Sequence, residues 1–212
     1  MKTYRSARDL LSVVEGVLRH PHSIAEQPHF GATFSPHAQS HTAPLESVTR
    51  ILYQGRHYFW IGIYLVIGDT AVRQAFCGPV PPCHTFKLGK GNVGTVSQRG
   101  VTKVVPDVSA DPTYSMCFRE TKSELVVPIK IGTHILGVID TESDVPNSFG
   151  SEDRVLLERL AALLARFLSS DGKYILRHAR TEWLQSRERQ KGQSSSARET
   201  KSNSARAAAD SH

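Results

Sequence analysis

Apolar positions along this chain change their period several times, and each change predicts an element. From Ser6 to Arg19 they recur at helical spacing (Leu10, Leu11, Val14, Val17, Leu18), with Ser6 placed to cap the helix. Periodicity is then lost from His20 to Pro44, a stretch with five histidines and four prolines. Leu45, Val48, Ile51 and Leu52 restore the helical pattern, and Gly55 is a natural stop. Tyr58 to Ile67 (YFWIGIYLVI) is an unbroken aromatic and β-branched run, the signature of a buried strand. Gly68-Asp69 turns it into a partner strand, Thr70 to Phe76. Cys77 to Lys90 is a proline-punctuated loop, and Gly89 to Val96 is a glycine-rich entry to a short helix stopping near Gly100. A short strand, Thr102 to Val105, precedes a polar loop from Pro106 to Lys122.

Two further apolar runs follow, Leu125 to Lys130 and His134 to Asp140, separated by Ile131-Gly132-Thr133. They predict a β-hairpin. The clearest helix runs from Ser148 to Ser170, with Ser151 expected as its cap, Glu152 and Asp153 at its positive end, and a stripe of Leu156, Leu160, Leu163, Leu164 and Phe167. The sequence of helix, hairpin, helix, strand, hairpin and helix predicts an α+β domain, a central mostly antiparallel sheet with helices packed on it. Its expected limits are 45–170. An N-terminal helix (1–19) and the His/Pro-rich segment (20–44) precede it, and a basic extension (171–212) follows, expected to be disordered from about residue 190 for want of branched aliphatic or aromatic residues.

The hairpin concentrates the chemistry. A hairpin returns the chain on itself, so Glu124, entering the first strand, is expected near Asp140 and Glu142, leaving the second, with Cys117 just upstream. Composition narrows the possibilities. A chain of 212 residues has room for a core without disulfide support. No run approaches the roughly 18 apolar residues of a membrane span, and the N-terminus is not a signal-peptide core, which predicts a cytosolic protein. Cys77, Cys83 and Cys117 are odd in number and widely spaced, which fits thiol chemistry or inert thiols rather than a disulfide framework; Cys77 reads as structural. The net charge of +6 resembles a nucleic-acid signature, but four of the six excess charges fall after residue 170, so nucleic-acid binding is not expected. The histidines of 20–44 lack tight ligand spacing and cysteine support, and a loose loop is expected there rather than a metal site. Gly89-Lys90-Gly91 is too short for a phosphate loop.

The motifs WIGIY, GKGNVGT, VVPDVSADP, SELVVPI and GVID, with the terminal amphipathic helix, resemble a GAF domain over roughly Leu45 to Leu168, and within it the free methionine-(R)-sulfoxide reductases. That resemblance implies a catalytic cysteine seven residues before the glutamate of SE-[IL]-V-V-P, which is Cys117, and a second redox cysteine at Cys83. It implies a substrate pocket of Trp60, Tyr64, Glu124, Asp140 and Glu142. By the same resemblance Cys117 would attack the sulfoxide and Cys83 would resolve the sulfenic acid, with no bound cofactor and with thioredoxin or a similar dithiol as reductant. A homodimer through outer helices is also implied. The chain departs from the pattern at Val93, where G-K-G-V-C-G carries cysteine, and at Glu142, where aspartate is usual. Those departures leave a second reading open: a non-catalytic GAF module sensing a small molecule or redox state.

Overall fold

The computed structural model describes residues 6–21 and 41–189. Most of the His/Pro-rich segment, and the stretch from 190 onward where disorder was expected, lie outside the described residues. The chain divides into two compact units, 1–176 and 177–212. In the second, helix runs through residue 189 and His178 lies 3.5 Å from Glu182 one turn on. No helix among the described residues is long and apolar enough to cross a membrane.

In the first unit, α1 spans Ala7–Arg19, capped by Ser6, whose Oγ accepts from Asp9 N at 3.2 Å, and it buries Leu10, Val14 and Leu18. Helix α2 (Ala43–Gly55) carries Pro44 in its first turn, where the missing N–H would have no helical partner. Six strands follow: β1 Trp60–Ile67, β2 Thr70–Cys77, β3 Thr85–Lys87, β4 Lys103–Val105, β5 Ser123–Ile131 and β6 His134–Ser143. They form one sheet in the order β3-β2-β1-β6-β5-β4, antiparallel throughout. Helix α3 (Gly91–Arg99) lies between β3 and β4 in sequence and ends on Gly100 in the left-handed region; α4 is Ser151–Ser169. The expected α+β architecture is present, and β1 reads as an unbroken apolar run because it sits inside the sheet with both faces covered.

Three local expectations are corrected. The cap of α4 is Gly150, not Ser151: Gly150 N donates to Asp153 Oδ2 at 3.1 Å. Asp153 is held there by Arg56 at 2.5 Å, so the carboxylate that satisfies the first turn comes from inside the helix. The loop from Cys77 to Lys90 contains β3, a three-residue strand too short and polar to show a period. The β5–β6 turn is only Gly132-Thr133, with Gly132 at φ +57°, and Ile131 belongs to β5.

Register divides the sheet into two faces. Glu124, Glu142 and Trp60 are direct partners across β5, β6 and β1, and the next row on the same face is Val126, Asp140 and Gly62. Directly opposed residues point to the same side. That face carries α3 and the loop between β4 and β5. The other face carries Ile61, Ile63, Leu125, Val127 and Ile139 beneath α2 and α4.

Candidate active site

All three hairpin acids lie on the α3 face, brought together by register rather than by neighbourhood in sequence. Glu124 and Glu142 are paired partners, and Asp140 is one row along. They are buried, with relative exposures of 4%, 2% and 4% for Glu124, Asp140 and Glu142. Trp60 and Tyr64 flank them on β1, both 1% exposed. Gly62 lies between the two aromatic residues, and a Cβ there would come within 2.2 Å of the Trp60 ring, so the bare backbone at Gly62 is what lets the indole lie flat along the strand.

Over this face the β4–β5 loop folds back. Phe118 approaches Trp60 with a centroid distance of 5.9 Å and meets Phe59 edge-on at 5.5 Å. Phe76 stacks on Trp60 at 6.3 Å, and Phe86 meets Tyr64 at 5.6 Å. Val93, at 2% exposure, packs into the same cluster. Cys117 is half-buried against it and is joined by a disulfide to Cys83, with a Cα separation of 5.6 Å across 34 residues of chain. Arg73 on β2 fastens the Cys83 loop: its Nη1 donates to Cys83 O at 2.5 Å, and its guanidinium lies 4.8 Å from the Phe76 ring centroid. Cys77, half-buried at the end of β2, lies outside the disulfide.

Burial dominates the electrostatics. Loss of solvent pushes Glu124 up to about 7, against the pull of the Asn92 amide and a hydrogen bond with Asp140. Glu142 is pushed up to about 8 by burial and then by the Glu124 charge. Asp140 is held well above the usual carboxylate range by burial, then by the charges of Glu124 and Glu142. Tyr64 is raised by burial and by Asp140. Thr121 donates to Glu142 Oε2, whereas Asp140 Oδ1 and Trp60 Nε1 are buried without a hydrogen-bond partner among the described residues. Buried polar atoms are paired in the great majority of folds, so Asp140 Oδ1 and Trp60 Nε1, beside three raised acids, are open to a ligand's polar groups. The cluster can hold a proton near neutral pH, or pair with a ligand cation, next to an apolar wall.

Several residues here were not singled out from sequence: Asn92, Lys103, Thr113, Thr121 and Phe118. The available signal was slight, an asparagine in GKGNVG where the motif G-K-G-V-C-G has valine. Arg119 and Lys122, the cations nearest Cys117 in sequence, are both exposed.

The model of the GAF domain matches residues 40–168. This chain belongs to the GAF domain family. Among curated relatives, it is 31% identical over 132 residues to the free methionine-R-sulfoxide reductase of Escherichia coli, covering 62% of this chain and 79% of that protein. It is 37% identical over 123 residues to GAF domain-containing protein A of Dictyostelium discoideum, covering 58% of this chain and 77% of that one. Among solved structures, free methionine-R-sulfoxide reductase from Neisseria meningitidis in complex with its substrate superposes with a TM-score of 0.64 at 27% identity, covering 80% of this chain and 96% of that one. As a GAF domain, the chain carries its buried acids on the sheet face covered by α3 and the Cys117 loop.

Proposed function

We propose that this protein reduces free methionine-(R)-sulfoxide to methionine at the expense of a dithiol. The observation that carries the reading is the Cys83–Cys117 disulfide lying against the aromatic cluster that also packs on three buried carboxyls. Similarity to the Escherichia coli and Neisseria meningitidis reductases supports the substrate.

The reduced enzyme begins the cycle with both thiols free. The Cys117 thiolate attacks the sulfoxide sulfur, the oxygen is transferred to the cysteine as a sulfenic acid, and methionine leaves carrying the two electrons. A carboxyl of the acid cluster supplies the proton that the departing oxygen needs. The Cys83 thiol then displaces water from the sulfenic acid and closes the disulfide, which thioredoxin or a similar dithiol reopens. One sulfoxide and two thiols give one thioether, one disulfide and one water. Trp60, Tyr64 and Phe118 form the apolar wall for the methyl-sulfur group, and an ionised carboxyl takes the ammonium of a free amino acid. A dithiol-dependent cycle suits a reducing compartment such as the cytoplasm.

Three acids beside a nucleophilic cysteine would raise its pKa and blunt it if all were charged. They are not all charged near neutral pH, because burial raises each of them. The cluster therefore serves as a proton store without opposing the thiolate by three full charges. Val93 requires that the cycle run on Cys83 and Cys117 alone.

The test is turnover of both sulfoxide epimers, free and peptide-bound, coupled to NADPH through a thioredoxin system. Consumption with the free (R) epimer, absent in Cys117→Ser, is expected; equal rates in the two proteins would refute the reading. The second reading, a GAF sensor, is favoured by one observation: Val93 fills the site with an apolar side chain where a thiol would stand. It forecasts a thermal shift with methionine sulfoxide and no turnover.

A further inference from the structure

Lys103 lies on edge strand β4, on the same face as the acids, since Val105 opposes Glu124 and Lys103 opposes Val126. Its ammonium is 2.6 Å from Asn92 Oδ1, 2.7 Å from Asp111 Oδ2 and 2.7 Å from Thr113 Oγ1. An ammonium has three N–H donors and can accept nothing, so the three contacts use it completely. The Asn92 atom facing Lys103 must therefore be the oxygen, which fixes the orientation of an amide whose two ends are otherwise interchangeable. Asn92 Nδ2 is then left facing Glu124 Oε2 at 2.6 Å, and it can only donate. Hydrogen-bond direction runs one way, from Lys103 through Asn92 to Glu124.

We propose that Asn92, oriented by Lys103, is a positioning residue that makes Glu124 the ionised acceptor of the acid cluster and leaves the proton contested between Glu124 and Asp140 on Asp140. The proposal rests on the reductase reading for its use in catalysis, but not for the charge assignment itself. An N–H fixed onto one carboxylate oxygen favours the charged form. Glu124 and Asp140 lie in adjacent rows of one sheet face; Glu124 receives the Asn92 N–H whereas Asp140 Oδ1 has no partner among the described residues, so a proton shared by the two acids resides on Asp140. The groups facing Glu124 are Asp140 and Glu142 from β6, Lys103 from β4, Asp111 and Tyr114 from the loop after it, Tyr64 from β1 and Asn92 from α3. Lys103 is the cation of this set and is 30% exposed, while Asn92 is 2% exposed. The relay thus carries the influence of a half-exposed charge into the buried cluster without placing a cation there.

The experiment is a titration of the side-chain carboxyls by carbon-13 NMR, with the Glu124 resonance assigned by its loss in Glu124→Gln, run alongside the pH profile of turnover. In Asn92→Val the Glu124 midpoint is expected to rise by on the order of one pH unit. Lys103→Met should raise it in the same direction and Lys103→Arg should restore most of it, with kcat affected more than KM. A merely structural role would lower thermal stability in Asn92→Val and Lys103→Met while leaving the Glu124 midpoint unmoved, and that result overturns the proposal. Lys103→Met, on a half-exposed edge position, keeps the test alive if Asn92→Val does not fold. Should the wild type turn over neither epimer while the midpoint still moves, the reductase reading fails and the charge assignment stands.

Discussion

The two faces of the sheet are cut from the same strands and handle burial in opposite ways. Beneath α2 and α4, β1, β5 and β6 present Ile61, Ile63, Leu125, Val127 and Ile139, none more than 1% exposed. Thr141 lies there too, fully buried, and its hydroxyl donates to Leu125 O at 2.9 Å. Beneath α3, the alternate residues of those strands are Glu124, Asp140 and Glu142, and Asp140 Oδ1 has no partner among the described residues. Leaving such an atom unmade costs about 1–3 kcal/mol. Period-2 alternation lets one face of the same strands be apolar while the other carries the acids. Adjacent residues of β6 thus differ: Thr141 is satisfied within the sheet, and Asp140 keeps an oxygen open on the α3 face.

Substituting Asp140→Asn attacks the contrast where it is greatest. It removes the carboxyl proton in nearly the same volume, and turnover is expected to fall by about 10²–10⁴-fold, the usual scale of general acid catalysis. Thermal stability should hold or rise, because a buried ionisable group is removed. Parallel loss of both would show the acid to be structural. The mirror-image change on the other face is Ile139→Ala, expected to cost about 2–5 kcal/mol by leaving a cavity. Activity per folded molecule should be unchanged, as determined by urea melts and active-site titration.

Acid–base linkage gives the next contrast, because the three raised carboxyls all lie on the α3 face. Glu124 is raised to about 7 and Glu142 to about 8 in the folded state, above the ordinary glutamate value of 4.5. A raised carboxyl binds its proton more tightly when folded, so its contribution is fully present below about 4.5 and is lost as pH rises through 7 and 8. Melting temperature should fall over that window, by an amount on the order of a few kcal/mol in stability. Glu142→Gln should flatten the upper part of the curve. A flat profile between pH 5 and 9 in the wild type would contradict the burial of these acids as ionisable groups.

How much of this contrast was legible in the sequence follows from range. The α1 stripe and its Ser6 cap are local, and both were readable from a 3.6-residue period and one side chain. The proximity of Glu124 to Asp140 and Glu142 was readable because a hairpin converts sequence order into spatial order. Strand β3 was not, since three residues of alternating exposure carry no period. Gly150 was not recognised as a cap because its partner, Asp153, is fixed by Arg56, 97 residues away. Asn92 and Lys103 were invisible for the same reason: their meaning depends on Glu124, which lies 32 residues beyond Asn92 in the chain. Long-range polar pairs leave almost no local trace.

Between the acids and the aromatic wall, Gly62 belongs to the α3 face but carries no chemistry. Gly62→Ala should shift the Trp60 ring, with a stability loss of about 1–3 kcal/mol from overpacking. Its signature is a rise in KM exceeding the fall in kcat, because the ring bounds the pocket without entering the reaction. An unchanged KM would mean that Trp60 is core and nothing more.

The smallest expected effect is also the cleanest control, because it changes the residue next to Asp140. Thr141→Val keeps the shape and removes one hydroxyl whose bond to Leu125 O is internal to the helix-covered face. A single satisfied hydrogen bond contributes about 1 kcal/mol net, and that is the stability loss a urea melt should read. Turnover and its pH profile should match the wild type, since the side chain points away from the acids. Adjacent residues on one strand, both buried and both polar, would then differ by orders of magnitude in their effect on catalysis and hardly at all in position. If Thr141→Val instead disturbed the pH profile, the two faces would be coupled through β6, and the acids could not be treated as a cluster set apart from the core beneath them.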